Sequence, residues 1–147
     1  MAPVMNAPLY TMEILRLAGS LPDPLHLERV DGTAQLRSPT CGSTVHTEVK
    51  LDDGRVTALS QQVRACAFGQ AAGALVAKHA PGRTREEIAE VLAALSGWLD
   101  GSRDDPDGAP VSWGLEALGP ARSRTSRHGA ILLPLRALLA AIEDADA

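Results

Sequence analysis

The chain has 147 residues, is 45% hydrophobic and 22% charged, and carries a net charge of −4. These proportions predict one globular domain over residues 1–147 and exclude a disordered chain. The acidic balance argues against bulk attraction to nucleic acid or to an anionic membrane surface.

Alanine and leucine dominate the apolar fraction, while Tyr10, Phe68, Trp98 and Trp113 are the whole aromatic set. The core must therefore come from close packing of small and aliphatic side chains on helices. No apolar run reaches the roughly 18 residues of a membrane span; the stretch 130–142 is shorter and carries Arg136. The first residues lack the basic start and apolar centre of a signal peptide. The cytoplasm is the expected compartment, and there two cysteines are expected as thiols or metal ligands rather than as a structural disulfide.

In chain order, the apolar segment from Leu9 to Leu17 predicts a short helix, stopped by Gly19, Ser20, Pro22 and Pro24. The period then changes to two. Val45, Thr47, Val49 and Leu51 alternate with His46, Glu48 and Lys50, the pattern of a half-buried strand. Asp52-Asp53-Gly54-Arg55 is a hairpin signal, because Asp-Gly suits the positive φ values of a primed turn. A return strand follows from Val56 towards Ala65, and Thr33–Ser38 supplies a third. After Cys66 the spacing is helical: Phe68, Ala72, Leu75, Val76 and His79 share a face that ends at Pro81-Gly82. Thr84 and Glu87 stand at capping-box spacing, ahead of the stripe Ile88, Val91, Leu92, Leu95 and Leu99. Residues 100–110 read as an exposed loop. A last helix is expected within about Ser126–Ile142, on the stripe Ile131, Leu135, Leu138 and Ile142, and Pro134, tolerated only in a first turn, argues for a start near Gly129–Leu133. Residues 143–147 are expected to fray.

The hairpin carries a geometric expectation. Counting back from a two-residue Asp53-Gly54 loop opposes Cys41 to Cys66, and directly opposed residues lie roughly 4.5–5.5 Å apart at Cα. Cys66 also opens a helix, where amide dipoles favour thiolate. Cys41 sits between Pro39 and Gly42, which open the backbone around the sulfur. Two thiolates on adjacent loops are what a soft metal, a cluster or a redox couple requires. His26, His46 and His79 are expected on a loop, a solvated strand face and a helix end, without ligand roles. Arg122, Arg124, Arg127 and His128 form a small basic cluster able to meet a phosphate or an acidic partner. No phosphate-binding glycine loop, His-Glu-x-x-His or Gly-x-Ser-x-Gly is present, so a hydrolase or a nucleotide enzyme has no foothold.

The segment Ser38-Pro39-Thr40-Cys41-Gly42-Ser43 resembles the first cysteine motif of the iron–sulfur cluster scaffold proteins of the IscU/NifU N-terminal family. Arg64-Ala65-Cys66-Ala67-Phe68-Gly69-Gln70 is similar to the second, and Arg127-His128-Gly129-Ala130-Ile131-Leu132 to the third. The resemblance implies an α+β fold, a three-stranded antiparallel sheet packed by helices with the ligands at one end. It implies a scaffold or carrier that binds iron or a labile [2Fe–2S] cluster and transfers it, with a cysteine desulfurase and apo acceptor proteins as partners.

The sequence departs from that pattern at two places. Ser43 stands where the family has an aspartate, and Gly129 where it has its third cysteine. Cys41, Cys66 and His128 remain as candidate ligands. Four protein ligands are usual for a [2Fe–2S] cluster, and histidine can replace cysteine. Ser43, an external thiol such as glutathione, or the second subunit of a homodimer would have to complete the count. Zinc would accept three protein ligands and an open position. Two rivals stand beside the carrier: a zinc-binding or metal-free regulatory partner of the assembly machinery, and a redox protein cycling Cys41 and Cys66 between dithiol and disulfide.

Overall fold

The computed structural model describes residues 10–39, 41–106 and 113–146. The expectations for Leu9, for 107–110 of the loop and for Ala147 fall outside them. The order of α-helices and strands is α1 (Met12–Gly19), β1 (Gly32–Arg37), β2 (Thr44–Asp52), β3 (Arg55–Arg64), α2 (Ala67–His79), α3 (Arg85–Leu99) and α4 (His128–Asp146). Two 3₁₀ segments, Leu115–Ala121 and Thr125–Arg127, lead into α4.

The strands form one antiparallel sheet in the order β1-β2-β3, so the expected α+β architecture is present. Along β2 the alternation is the predicted one: Val45, Thr47 and Val49 are buried, while Thr44, His46, Glu48 and Lys50 are half-exposed. The buried face meets α2 and α4, which pack on the sheet and on each other. Phe68, Leu75, Leu95, Trp113, Leu115, Ile131 and Leu138 form the main core, and Val45 packs with Leu133 and Ala137 beside it.

The β2–β3 hairpin turns through Asp53 and Gly54, both at positive φ (53° and 74°), as a primed turn requires. Asp52 pairs with Arg55 and Leu51 with Val56, but a bulge between Lys50 and Leu51 then shifts the ladder, so that Lys50 faces Ala58 and Thr44 faces Arg64. The extra residue in β3 carries position 41 past Cys66. β2 also begins only at Thr44. The expected cross-strand pairing of Cys41 with Cys66 is therefore corrected: the two occupy a loop and a strand–helix junction at the same end of the sheet.

The helices obey their capping signals. Thr11 Oγ1 accepts from Ile14 N at 3.1 Å to start α1. The capping box at α3 is complete, with Glu87 N donating to Thr84 Oγ1 at 3.2 Å and Thr84 N donating to Glu87 Oε1 at 2.9 Å. Two expectations for α4 are corrected. The helix starts at His128, so Pro134 lies in its interior rather than its first turn. Its last residues do not fray: α4 stays helical to Asp146, with Thr33 N donating to Asp144 Oδ2 at 3.0 Å and Arg85 paired to Glu143 at 2.7 Å.

A proline inside a helix leaves the carbonyl four residues earlier without its donor. Here that carbonyl belongs to Ala130, and it lies against Gly69 of α2, where an added Cβ would stand 3.2 Å from it. The same Cβ would meet Ala65 Cβ at 2.5 Å. A hydrogen at position 69 thus lets α2 and α4 approach near their N-termini. Gly69→Val is expected to lower stability by about 2 kcal/mol through overpacking. Urea unfolding at equilibrium measures this, and an unchanged midpoint would contradict the close approach.

Candidate functional site

Three pieces of chain converge at one end of the sheet: the loop from Ser38 to Ser43, the junction at Cys66, and the first turn of α4. The loop is closed by two backbone bonds, Ser38 N to Ser43 O at 2.8 Å and Gly42 N to Ser38 O at 2.9 Å. Gly42 adopts φ 74°, a conformation that glycine reaches without a Cβ penalty.

This fold-back leaves Cys41 exposed while burying the serines on either side, Ser38 at 3% and Ser43 at 8% exposure. Cys41 Sγ is 3.0 Å from Ser43 Oγ. The Ser38 hydroxyl, then that of Ser43, hold the Cys41 thiol below its ordinary pKa against the opposing effect of partial burial. Hydrogen bonds to the charged form have this sign, because they stabilise thiolate relative to thiol.

Cys66 is the residue before α2, half-buried, and its side chain makes no cap bond to the helix amides. Gly69, one turn on, touches Ala130, which ties the start of α2 to the start of α4. At Gly129, where the family pattern has its third cysteine, an added Cβ would lie 2.6 Å from Ser38 Oγ and 3.7 Å from Ser38 Cβ. The missing side chain at 129 thus leaves space that the Ser38 hydroxyl fills.

His128 is placed differently from the two cysteines. Its Nε2 lies 2.9 Å from Ala121 O and 3.1 Å from Arg122 O. Both partners are acceptors, so Nε2 carries the proton and Nδ1 keeps the lone pair. A ring N–H fixed on a backbone carbonyl is the usual way in which a ligating histidine is held. Among the described residues, no three His, Cys, Asp or Glu side chains form a group able to hold a metal. Cys41, Cys66 and His128 are not drawn into one coordination sphere in this conformation.

Of the remaining candidates, Arg122 and His79 pack against tryptophans. Arg122 lies 4.9 Å from the Trp98 ring centroid, and its Nε donates to Trp98 O at 2.9 Å. It fastens the end of α3 to the segment before α4, so the basic cluster is in part packing. His79 stacks on Trp113 with centroids 5.7 Å apart, His46 lies 3.7 Å from Glu48, and His26 is exposed. Sequence reasoning passed over Ser38. Its only signal was its place at the head of the motif that ends in Cys41-Gly42-Ser43.

With both hydroxyls stabilising the Cys41 thiolate, Ser43→Ala is expected to move the midpoint of Cys41 alkylation to higher pH. Iodoacetamide rates against pH in a Cys66→Ser background read this directly; a midpoint that stays or falls would contradict the hydrogen-bond account.

No protein-family model matches the chain, and a search of curated proteins finds no match. Solved structures do match. The N-terminal part of a nitrogen-fixing NifU-like protein from Brucella abortus is 31% identical, with 94% of each chain covered and a TM-score of 0.83. A protein from Fervidobacterium islandicum, named as an iron–sulfur cluster assembly scaffold for the SUF system, is 17% identical over 91% of this chain and 96% of that one, with a TM-score of 0.80. The second likeness speaks for the fold alone. The first, at 31% identity over nearly the whole of both chains, places this chain in the IscU/NifU N-terminal-like family of iron–sulfur cluster assembly scaffold proteins.

Proposed function

We propose that this protein acts as an iron–sulfur cluster assembly scaffold or carrier, holding iron or a labile [2Fe–2S] cluster at Cys41 and Cys66 and passing it to apo acceptor proteins. Membership of the scaffold family supports the general role. The observation that carries the site is the exposed Cys41, whose thiol is drawn below its ordinary pKa by the buried Ser38 and Ser43 hydroxyls, at the same sheet end as Cys66. An exposed thiolate is the group that a soft ion needs and that a departing cluster can leave. His128 joins through Nδ1, the nitrogen left free by its bonds to Ala121 and Arg122. A cysteine desulfurase is the sulfur source in this reading, and the protein performs no catalytic turnover of its own.

A labile cargo suits a site with few thiolates. Each cysteine replaced by a weaker donor lowers affinity for iron and eases release to an acceptor with a full set of thiolates. Zinc would occupy the same atoms with an open position. Among the described residues no helix is long and apolar enough to cross a membrane, and the cytoplasm is the compartment we assign.

Anaerobic reconstitution with ferrous iron and sulfide is expected to give stoichiometric iron and acid-labile sulfide with a visible charge-transfer spectrum. Cys41→Ser/Cys66→Ser is expected to lose both, by at least about tenfold in bound iron, since thiolates dominate such sites. Wild type that takes up zinc alone, or no metal, would overturn the carrier reading in favour of a regulatory partner.

A further inference from the structure

The face of the sheet turned away from α2 and α4 can be followed row by row from the strand register. Arg37, Thr44 and Arg64 make the row nearest the cysteine loop, and Gln35, His46 and Gln62 make the next. Directly paired residues project to the same side of a sheet, so each row presents its three side chains together. The third row, with Glu48 and Ser60, is covered by the segment between α1 and β1, where Leu25 N donates to Ser60 Oγ at 2.8 Å. That segment is fastened further along, Arg29 Nη2 donating to Leu51 O and Leu51 N to Asp31 Oδ2, both at 2.7 Å. Ser60 is only 7% exposed beneath it. The first two rows have no such cover: Arg37, Gln35, Gln62 and Arg64 are exposed, Thr44 and His46 half-exposed.

This bare half is basic in an acidic protein. Arg37 and Arg64 stand on either side of Thr44, about 10 Å apart at Cα by two strand spacings. Among the described residues neither makes an ion pair, whereas Arg29, Arg55, Arg83 and Arg85 all do. The carboxylate of this face, Glu48 in the third row, lies 3.7 Å from His46. Position ties the two guanidinium groups to the thiols. Arg37 Nη2 lies 3.6 Å from where a Cβ on Gly42 would stand, next to Cys41, and Arg64 is followed two residues later by Cys66.

We propose that the bare half of this face docks an acidic segment of a partner protein, two of whose carboxylates meet Arg37 and Arg64 while its chain lies across Thr44. Guanidinium binds carboxylate through paired, charge-assisted hydrogen bonds, and charge complementarity selects the occupant. The two rows hold no apolar side chain, so an amphipathic helix or a lipid surface has nothing to bury there. They hold no aromatic ring on which a base could stack, and a chain of net charge −4 repels a polyphosphate at long range. That the partner gives cargo to Cys41 and Cys66 or takes it from them rests on the scaffold reading; the face itself is tested without cargo.

The probe is a Glu-Pro-Pro repeat peptide, titrated at low salt into isotope-labelled, metal-free protein and followed by backbone amide shifts. Its polyproline II helix turns once in three residues and rises about 3.1 Å for each, which sets carboxylates about 9 Å apart along one side. Shifts are expected at Arg37, Thr44, His46 and Arg64, fading as salt rises. A Gln-Pro-Pro peptide of the same shape should give none. Arg37→Gln and Arg64→Gln are each expected to weaken binding about threefold, and together about tenfold, as exposed ion pairs allow. Arg37→Lys/Arg64→Lys should stay within about threefold of wild type, because it keeps both charges. Equal binding of Gln-Pro-Pro, shifts centred on Arg122–Arg127, or wild-type affinity in the double glutamine variant would overturn the proposal. So would a single-stranded RNA oligonucleotide that binds these rows more tightly than the peptide at the same salt. Iron and sulfide uptake decides the scaffold reading separately: protein that docks the peptide but takes up no iron sinks that reading and keeps this one, and the converse result sinks this one alone.

Discussion

The close approach of α2 and α4 is the constraint from which the rest of the site follows. It depends on a glycine at 69, an alanine at 130, and a carbonyl at 130 that Pro134 leaves without its helical donor. A β-branched or larger side chain at either crossing position would push the helix starts apart. With small residues there, Cys66 at the entry of α2 and Gly129 in the first turn of α4 are held at the same end of the sheet. The loop carrying Cys41 closes over that end. Packing of the least distinctive residues in the chain thereby decides where its most reactive ones stand.

Around that end the chain supplies polar groups in a definite order. Hydroxyls from Ser38 and Ser43 face Cys41, and backbone carbonyls of Ala121 and Arg122 hold the far nitrogen of His128. The first arrangement favours thiolate; the second fixes a tautomer with its lone pair on Nδ1. Neither needs a nearby ion pair. The outer face of the sheet, with His46, Glu48 and Lys50, stays polar. The 3₁₀ segments and Arg122 on Trp98 brace the approach to α4. The candidate ligands thus stand at element ends and in the loop before β2, with Cys41 the more exposed of the two thiols.

Much of this was legible in the residues. The alternation in β2, the Asp-Gly hairpin, the Thr84–Glu87 box and the three motifs at residues 38–43, 64–70 and 127–132 all announce what the structure contains. What stayed hidden depended on distant contacts. A bulge of one residue at Lys50/Leu51 moved the expected pairing of Cys41, because register is decided by the sheet and not by the turn alone. Pro134 lies in the interior of α4, where its residue type alone points to a first turn. The tail of α4 reads as a fraying end, yet Asp144 and Glu143 bind Thr33 and Arg85, far away in sequence. The 3₁₀ turns at 115–127 carry no period to read. Ser38 looked like part of a loop until its oxygen was seen against Gly129.

A scaffold that holds its cargo on a mixed donor set from this one end of the fold has a distinct signature in X-ray absorption at the iron edge, recorded on protein loaded anaerobically with iron and sulfide. Iron–iron scattering from a cluster is expected, together with a first coordination shell of sulfur and lighter oxygen or nitrogen donors. An iron shell of oxygen and nitrogen alone, with no iron–iron scattering, would contradict the proposed function.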